Sequence, residues 1–587
     1  KKRTRATIAK ELGLDPVAEM ILNNADIDDI RREAEKYVEG EKLKDADEAI
    51  DKSLDIIAEF ISEQKLFRDI VRNSFIEEGL IVTEKKEDNP TYEMYYDFSE
   101  KVKDIKSHRI LAIFRGEKEG FLKVNISLND DYNIFKILRK LSRSSNEEVH
   151  KLLEKATKDS YKRLLVPSIE TEIRAQLKEF ADDESIGVFK NNLKPYLMQA
   201  PIKETAIIGL DPGIRTGCKV AVISEYGDYL DSGVIYVAEG KKDLAQADKL
   251  LKRFIDRYGA KLIAIGNGTA SRETERYVAD FLDKIDDEVY YTIVNEAGAS
   301  VYSASKVAIE EFPDLDVTIR GAISIARRIQ DPLAELVKIS PESIGVGQYQ
   351  HDVNQKKLQS SLEEVVEDCV NSVGVNINTA SGSLLNYVSG LTKSMSNNIL
   401  EYKSENGPFT NRKEILKVKG IGPKAYEQCA GFLRIPESDE ILDNTEVHPE
   451  SYDIAKKLMD YDLDKIDVKK LSEELDVGVP TLEDIISQLK KPGRDPREEM
   501  PKPILRQDVL SINDLELGMQ LKGTVRNIVD FGAFIDIGIK NDGLCHISQM
   551  SKKFIKSPRE VCEVGDVVNV KIIDIDKVNG KVGLSMK

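Results

Sequence analysis

The chain has 587 residues, with 86 Lys and Arg against 104 Asp and Glu, a net charge of -18, few aromatics and no Trp. That length implies about four domains, and the acidic balance excludes a protein that coats nucleic acid over its whole surface, because phosphate contacts draw on Lys and Arg. No apolar run approaches the roughly 18 residues a membrane span needs, and nothing at the start reads as a signal peptide. The five cysteines, Cys218, Cys369, Cys429, Cys545 and Cys562, are scattered without a CxxC pair, which fits a reducing cytoplasm.

The first 200 residues read mainly as helix. Apolar residues recur at three- and four-residue spacing in Ala49–Ile61, in Asn133–Leu153, and in Ile169, Ile173, Leu177 and Phe180 after a Ser168 cap. Thr7–Leu14 has the pattern of a helix-turn-helix, either a structural helical pair or a DNA reader. From Thr205 the period changes. Strands at Thr205–Gly209, Cys218–Ser224 and Tyr229–Val237 are followed by helix Asp243–Tyr258, strand Lys261–Ile265, helix Arg272–Lys284 and strand Tyr290–Val294. Three strands in hairpin order and then alternating helix and strand predict an α/β domain of the RNase H-like kind over 203–338. The chain is helical again over 339–436 and 437–507, and Lys490–Gln507 reads as a linker rich in Pro and charge. A small all-β barrel of the OB type closes the chain over 508–587.

Charge is unevenly spread. Asn371–Pro436 carries eight Lys or Arg against four Glu and no Asp, and Leu515–Lys587 carries eleven against nine acids. Nucleic-acid contacts should therefore concentrate toward the C-terminus.

In the barrel, Val529–Asp536 is expected on one strand, with Gly532 supplying a bulge that turns Phe531 and Phe534 to the same face. Two exposed rings make a stacking platform for bases; the alternative is that both rings are core. His546 follows a turn at Asp542-Gly543, and Lys522, Arg526 and Lys571 lie on strands where they could meet phosphates. This segment resembles the S1 RNA-binding domain, with Lys581 at the family's late basic position, a charge without arginine's planar fork. Upstream, the glycine turn Lys419-Gly420-Ile421-Gly422-Pro423-Lys424 between two helices resembles a helix-hairpin-helix, and Ser389-Gly390-Leu391-Thr392-Lys393 resembles a second copy. Glycines allow close approach to a phosphate, and Lys419, Lys424 and Lys393 supply charge.

In the α/β domain, Gly209-Leu210-Asp211-Pro212-Gly213 places a carboxylate at a strand end and resembles the opening motif of the RuvC and YqgF branch of RNase H-like nucleases. The resemblance implies Asp211, Glu296 and Asp331 as an acidic set that holds Mg or Mn in an active nuclease. Two departures leave it incomplete: Gly266-Asn267-Gly268 stands where the resolvase supplies a Glu, and Arg328 stands where another carboxylate belongs. No cofactor is required if the domain is retained as a scaffold.

The domain order, with the phrases Lys2–Ala9, Tyr161–Ser168, Ile265–Thr274 and Gly345–Gln355, resembles the Tex family of bacterial transcription accessory proteins along essentially all of the chain. The chain opens where that family is already under way, so a preceding helical portion is expected. Within Gly345–Gln355, His351 is either a structural histidine or a ligand. The resemblance implies a cytoplasmic transcription factor, mainly α with a YqgF-type α/β domain and an S1 barrel, that binds RNA or DNA as a scaffold near RNA polymerase. A structure-selective nuclease and a ribosome- or mRNA-associated translation factor are the alternatives.

Overall fold

A computed structural model describes residues 3–38, 42–143, 146–203, 205–238, 242–345, 347, 349–500, 502–506, 512, 515–539 and 541–587. Lys2, Val346, Gln348, Pro501 and Gln507, which the motif phrases and the linker include, lie outside the described residues. The chain divides into two compact units, Lys1–Ser185 with His351–Asn354, and Ile186–Gln350 with Gln355–Lys587.

The first unit is built around helix Ala46–Glu63. Asp45 caps its N-terminus by accepting from the Glu48 N–H, and Ile50, Leu54, Ile57 and Ile61 line its buried face. Helices Arg5–Glu11 and Asp15–Leu22 form the pair expected near the start, with Gly13 in the left-handed region between them. The stripe in Asn133–Leu153 is two helices, Asp130–Leu141 and Glu147–Asp159. Ser168 is not a cap: a π-helical turn, Ser160–Leu165, runs straight into the helix Val166–Leu197, and Ser168 lies inside it. Ile169, Ile173 and Leu177 are buried as expected, whereas Phe180 is 47 % exposed and Ala181 takes the inward place. A three-stranded antiparallel sheet also appears, Asp97–Lys101, Leu80–Lys85 and Leu122–Ser127 in that order.

In the second unit, the α/β domain has the strand order Tyr229–Ile235, Cys218–Ile223, Ile207–Asp211, Leu262–Gly266, Tyr290–Val294. The first three strands are antiparallel and the last two join in parallel. Leu251 and Phe254 of helix Leu244–Tyr258, with Val278 and Phe281 of helix Ser271–Leu282, bury one cluster against the sheet. Ala322, Ile325 and Ile329 of helix Val317–Gln330 bury another. That helix rides so closely on the first strand that a Cβ at Gly209 would strike the Ala322 carbonyl.

Beyond helix Gln355–Val373, the two glycine turns precede helices Lys393–Asn406 and Pro423–Cys429, and a short parallel pair ties Val375–Asn376 to Leu433–Arg434. Helices Tyr452–Leu458, Val468–Leu475 and Val479–Lys490 share a core of Leu442, Leu458, Leu471, Leu482 and Ile485. The end of the linker adds itself to the α/β sheet, since Arg506 and Tyr291 exchange both backbone hydrogen bonds at 2.9 Å. The last five strands, Gln520–Val529, Gly532–Asp536, Gly543–His546, Lys581–Ser585 and Val567–Asp576 in that order around the ring, close a barrel.

Candidate nucleic-acid interface

The barrel's interior is filled by Val525, Ile528, Ala533, Ile535, Ile537, Val570, Ile572 and Leu584. Alternation along Gly532–Asp536 therefore sends Ala533 and Ile535 inward and Phe534 and Asp536 outward. Phe531 sits elsewhere than expected. Val529 pairs with Gly532, so Asp530 and Phe531 form a two-residue turn at a hairpin tip. The strand does not run through Phe531. The register shifts fall between Val525 and Asn527 and between Ile572 and Asp574 instead. Gly532 serves close approach: a Cβ there would collide with the Cys545 carbonyl.

Neither ring belongs to the core. Phe531 is 37 % exposed, Phe534 is half-buried, and their centroids lie 6.3 Å apart at 84°, edge to face. His546 stands opposite Gly532 on the neighbouring strand, so its side chain shares the outward face with Phe534, and the Ile547 N–H donates to the Phe531 carbonyl at 2.8 Å. The exposed imidazole is steadied by Ser548, 2.9 Å from its Nδ1.

The four expected cations are placed differently. Lys522 and Lys571 are exposed where the first barrel strand pairs with Val567–Asp576, and Lys581 pairs with Asp576 at the start of its strand. These positions lie on other strand pairs than the one that carries the rings. Arg526 is committed within the barrel, donating to Asp536 Oδ2 at 2.7 Å. Burial opposes the Asp536 charge, but the guanidinium prevails and holds its carboxyl below the ordinary range.

The two glycine turns have matching geometry. Gly390 and Gly420 both lie at positive φ, +83° and +87°, and Leu391 and Ile421 each donate to a valine carbonyl three residues back at 3.1 Å. Each turn rests on the other hairpin's helix. A Cβ at Gly390 would stand 2.5 Å from Gln428 Cβ, while Asn398 donates to the Lys419 carbonyl at 2.7 Å. Gly422, Lys419, Lys424 and Lys393 are exposed, so the paired turns present glycine backbone and cations without competing side chains.

In the α/β domain, Asp211 and Glu296 come together and Asp331 does not. Burial, reinforced by the Glu296 charge, raises the Asp211 carboxyl to about 6. Glu296 is raised by burial as well, against the Gly268 N–H and the Arg328 charge, and its Oε2 is buried without a hydrogen-bond partner. Glu296 fills the space beside Gly266 and Gly268, where any Cβ would run into its carboxylate. Arg328 is buried and donates to the Asn295 and Ala297 carbonyls at 2.8 and 2.7 Å. Asp331 caps helix Pro332–Leu336 and is held by Arg497 at 2.6 Å. Among the described residues, no three His, Cys, Asp or Glu side chains are grouped to hold a metal ion. Two carboxylates beside a buried guanidinium do not fit a two-ion centre.

Comparison with known proteins agrees along the chain. The Tex central region-like family matches residues 27–189, the Tex protein YqgF-like domain 205–330, the helix-hairpin-helix motif 370–434, an HHH domain 440–497 and the S1 RNA binding domain 514–587. The Protein tex of Bordetella pertussis is 42 % identical over all of this chain and 78 % of its own length. The chain belongs to the Tex family. The uncharacterized protein YdcI of Bacillus subtilis is 47 % identical over all of this chain and 84 % of its own length. The human S1 RNA-binding domain-containing protein 1 is 35 % identical over all of this chain and 68 % of its own length.

Within this Tex-family chain, three features escaped the sequence reading. Residues 440–497, read as a helical segment and linker, contain a further hairpin in which Asp476, at φ +54°, stands where the other two turns have glycine. Arg497, distant in sequence from Asp331, holds that carboxylate, which stands apart from the Asp211–Glu296 pair. A cleft of about 1080 Å³ lies between the barrel and the α/β domain, with Phe534 and Asn527 on one wall and Asn267, Thr269 and Arg272 on the other. The described residues hold no helix long and apolar enough to cross a membrane.

Proposed function

We propose that this Tex-family chain is a nucleic-acid-binding transcription accessory factor that works as a scaffold, holding RNA on the barrel and nucleic-acid backbone on the paired hairpins near RNA polymerase. The observation that carries the reading is a pair of partly exposed rings, Phe531 and Phe534, held edge to face outside the core of an S1 barrel whose interior other side chains already fill. Base stacking on such rings contributes about 1–3 kcal/mol per base and tolerates any sequence. The hairpins add sequence-independent grip through Lys393, Lys419, Lys424 and the backbone at Gly390, Gly420 and Gly422. A relative that bears the name transcriptional accessory protein Tex, from Neisseria gonorrhoeae at 42 % identity, supports the assignment to transcription. Of the cations, Lys522, Lys571 and Lys581 remain available to phosphates, whereas Arg526 acts through Asp536.

The α/β domain serves contact in this reading, because Glu296 occupies the place of a further carboxylate and Arg497 holds Asp331. Phe531→Ala together with Phe534→Ala should weaken binding of single-stranded RNA more than about tenfold in fluorescence anisotropy; unchanged affinity overturns the placement of the site. Metal-dependent cleavage of RNA or branched DNA that disappears in Asp211→Asn would overturn the scaffold reading in favour of a nuclease. Sedimentation with ribosomes that survives high salt would favour translation over the polymerase.

A further inference from the structure

The barrel carries one more aromatic side chain, and it is almost entirely uncovered. Phe554 is 90 % exposed, in the segment that joins the short helix Ile547–Met550 to the turn Pro558–Glu560. Lys552, Lys553 and Lys556 surround it in sequence and are exposed, and no acidic residue lies between Ser551 and Arg559.

The segment is anchored at both ends. On the N-terminal side, His546 caps the short helix by accepting from the Ser548 N–H, and Ser551 accepts from the Lys553 N–H at 3.1 Å. On the C-terminal side, Ser557 and Glu560 form a capping box, with Glu560 Oε1 accepting from the Lys556 and Ser557 N–H groups at 2.9 and 3.0 Å. This also commits the nearest carboxylate to backbone. Between the anchors Ile555 packs on the barrel core, while its neighbours Phe554 and Lys556 turn to solvent. An apolar ring held outward on an anchored loop among three lysines has the chemistry of a base-stacking and phosphate-contacting site.

We propose that Phe554, with Lys552, Lys553 and Lys556, is a second single-strand contact on the barrel, which takes up RNA leaving the platform formed by Phe531, Phe534 and His546. The proposal rests on the reading of that platform as the RNA face. Ile547 is bonded to Phe531, and one helical turn plus four extended residues place Phe554 within about 20 Å of it. A span of that order fits the roughly 4 to 16 nucleotides that one OB fold covers.

The test measures affinity of the full chain for single-stranded oligouridylates of about 4 and about 16 nucleotides. Phe554→Ala should weaken the long oligomer about fivefold to tenfold and leave the short one unchanged. Lys552→Ala with Lys553→Ala and Lys556→Ala should lower the slope of log affinity against log salt by about 2 for the long oligomer alone. Being exposed, these side chains can be removed without unfolding the barrel. Equal losses on both lengths would make the loop part of the first platform, and no loss on either would assign it to something other than RNA; each result overturns the proposal. If Phe531→Ala with Phe534→Ala leaves both oligomers bound at full affinity, the underlying RNA-face reading fails, whatever Phe554→Ala does.

Discussion

Arg497 Nη1 lies 2.6 Å from Asp331 Oδ1, and the same guanidinium reaches Asp495 Oδ2 at 2.8 Å. Only 4 % of the Arg497 side chain is exposed, against 33 % for Asp331 and 13 % for Asp495. One buried cation thus pins the end of the α/β domain's last long helix to the segment after residue 490. Removing one partner of a buried pair leaves the others desolvated and uncompensated. Arg497→Ala should cost about 2–3 kcal/mol of stability, less than a fully buried pair because Asp331 is partly in water. In denaturant unfolding, adding Asp331→Asn should recover part of that loss; strictly additive changes would show that the two residues are not coupled.

The two hairpin glycines offer a matched comparison. Both positions lie in the left-handed region, so replacing either by alanine costs about 1 kcal/mol in backbone strain. At Gly420 the new methyl finds room, with Asn398 Nδ2 3.6 Å away, but at Gly390 it meets Gln428 Cβ at 2.5 Å. Overpacking then adds roughly 1–3 kcal/mol. Gly390→Ala should therefore destabilise more than Gly420→Ala, read as amide hydrogen exchange in Lys393–Asn406. The reverse order would contradict the mutual packing of the hairpins.

The strand and helix order of the α/β domain was readable because each buried strand is a short apolar run bounded by glycine or polar turns, as in Ile207–Asp211 and Leu262–Gly266. The sheet at 80–127 was not, because its edge strand Asp97–Lys101 is polar and only half covered, and so carries no apolar signal. The hairpin tip at Asp530-Phe531 escaped for another reason. Neither residue has positive φ, so the glycine or asparagine that marks most two-residue hairpins is missing. Asp211 and Glu296 could be picked out because one closes a strand and the other stands just beyond one. The diversion of Asp331 to Arg497 could not, since that pairing spans 166 residues and depends on tertiary placement alone.

The raised Asp211 carboxyl makes the stability of the α/β domain depend on pH. Its folded value of about 6 lies above the ordinary 3.8, so between those values the folded chain keeps a proton that the unfolded chain has released. Stability contributed by this group therefore falls as pH rises from about 4 to about 6, and the cost is fully present above that window. Asp211→Asn removes the ionisation. It should protect the amides of Ile207–Asp211 from exchange by about 3 kcal/mol more than the parent chain at pH 7.5, with the difference shrinking toward zero near pH 4. A difference that does not change with pH would mean that Asp211 titrates normally.

Lys419 and Lys424 flank the second glycine turn, exposed on the hairpin and outside the barrel that carries the rings. If they meet phosphates, each contributes counterion release and no base recognition, so their removal should act alike on every sequence. Lys419→Ala with Lys424→Ala should reduce the slope of log affinity against log salt by about 2 for duplex DNA. The loss should be the same for unrelated duplexes of one length, and stacking of single-stranded RNA on Phe531 and Phe534 should persist. A loss confined to one sequence would make the turn a base reader, and an unchanged slope would leave the hairpins as a structural brace between the α/β domain and the barrel.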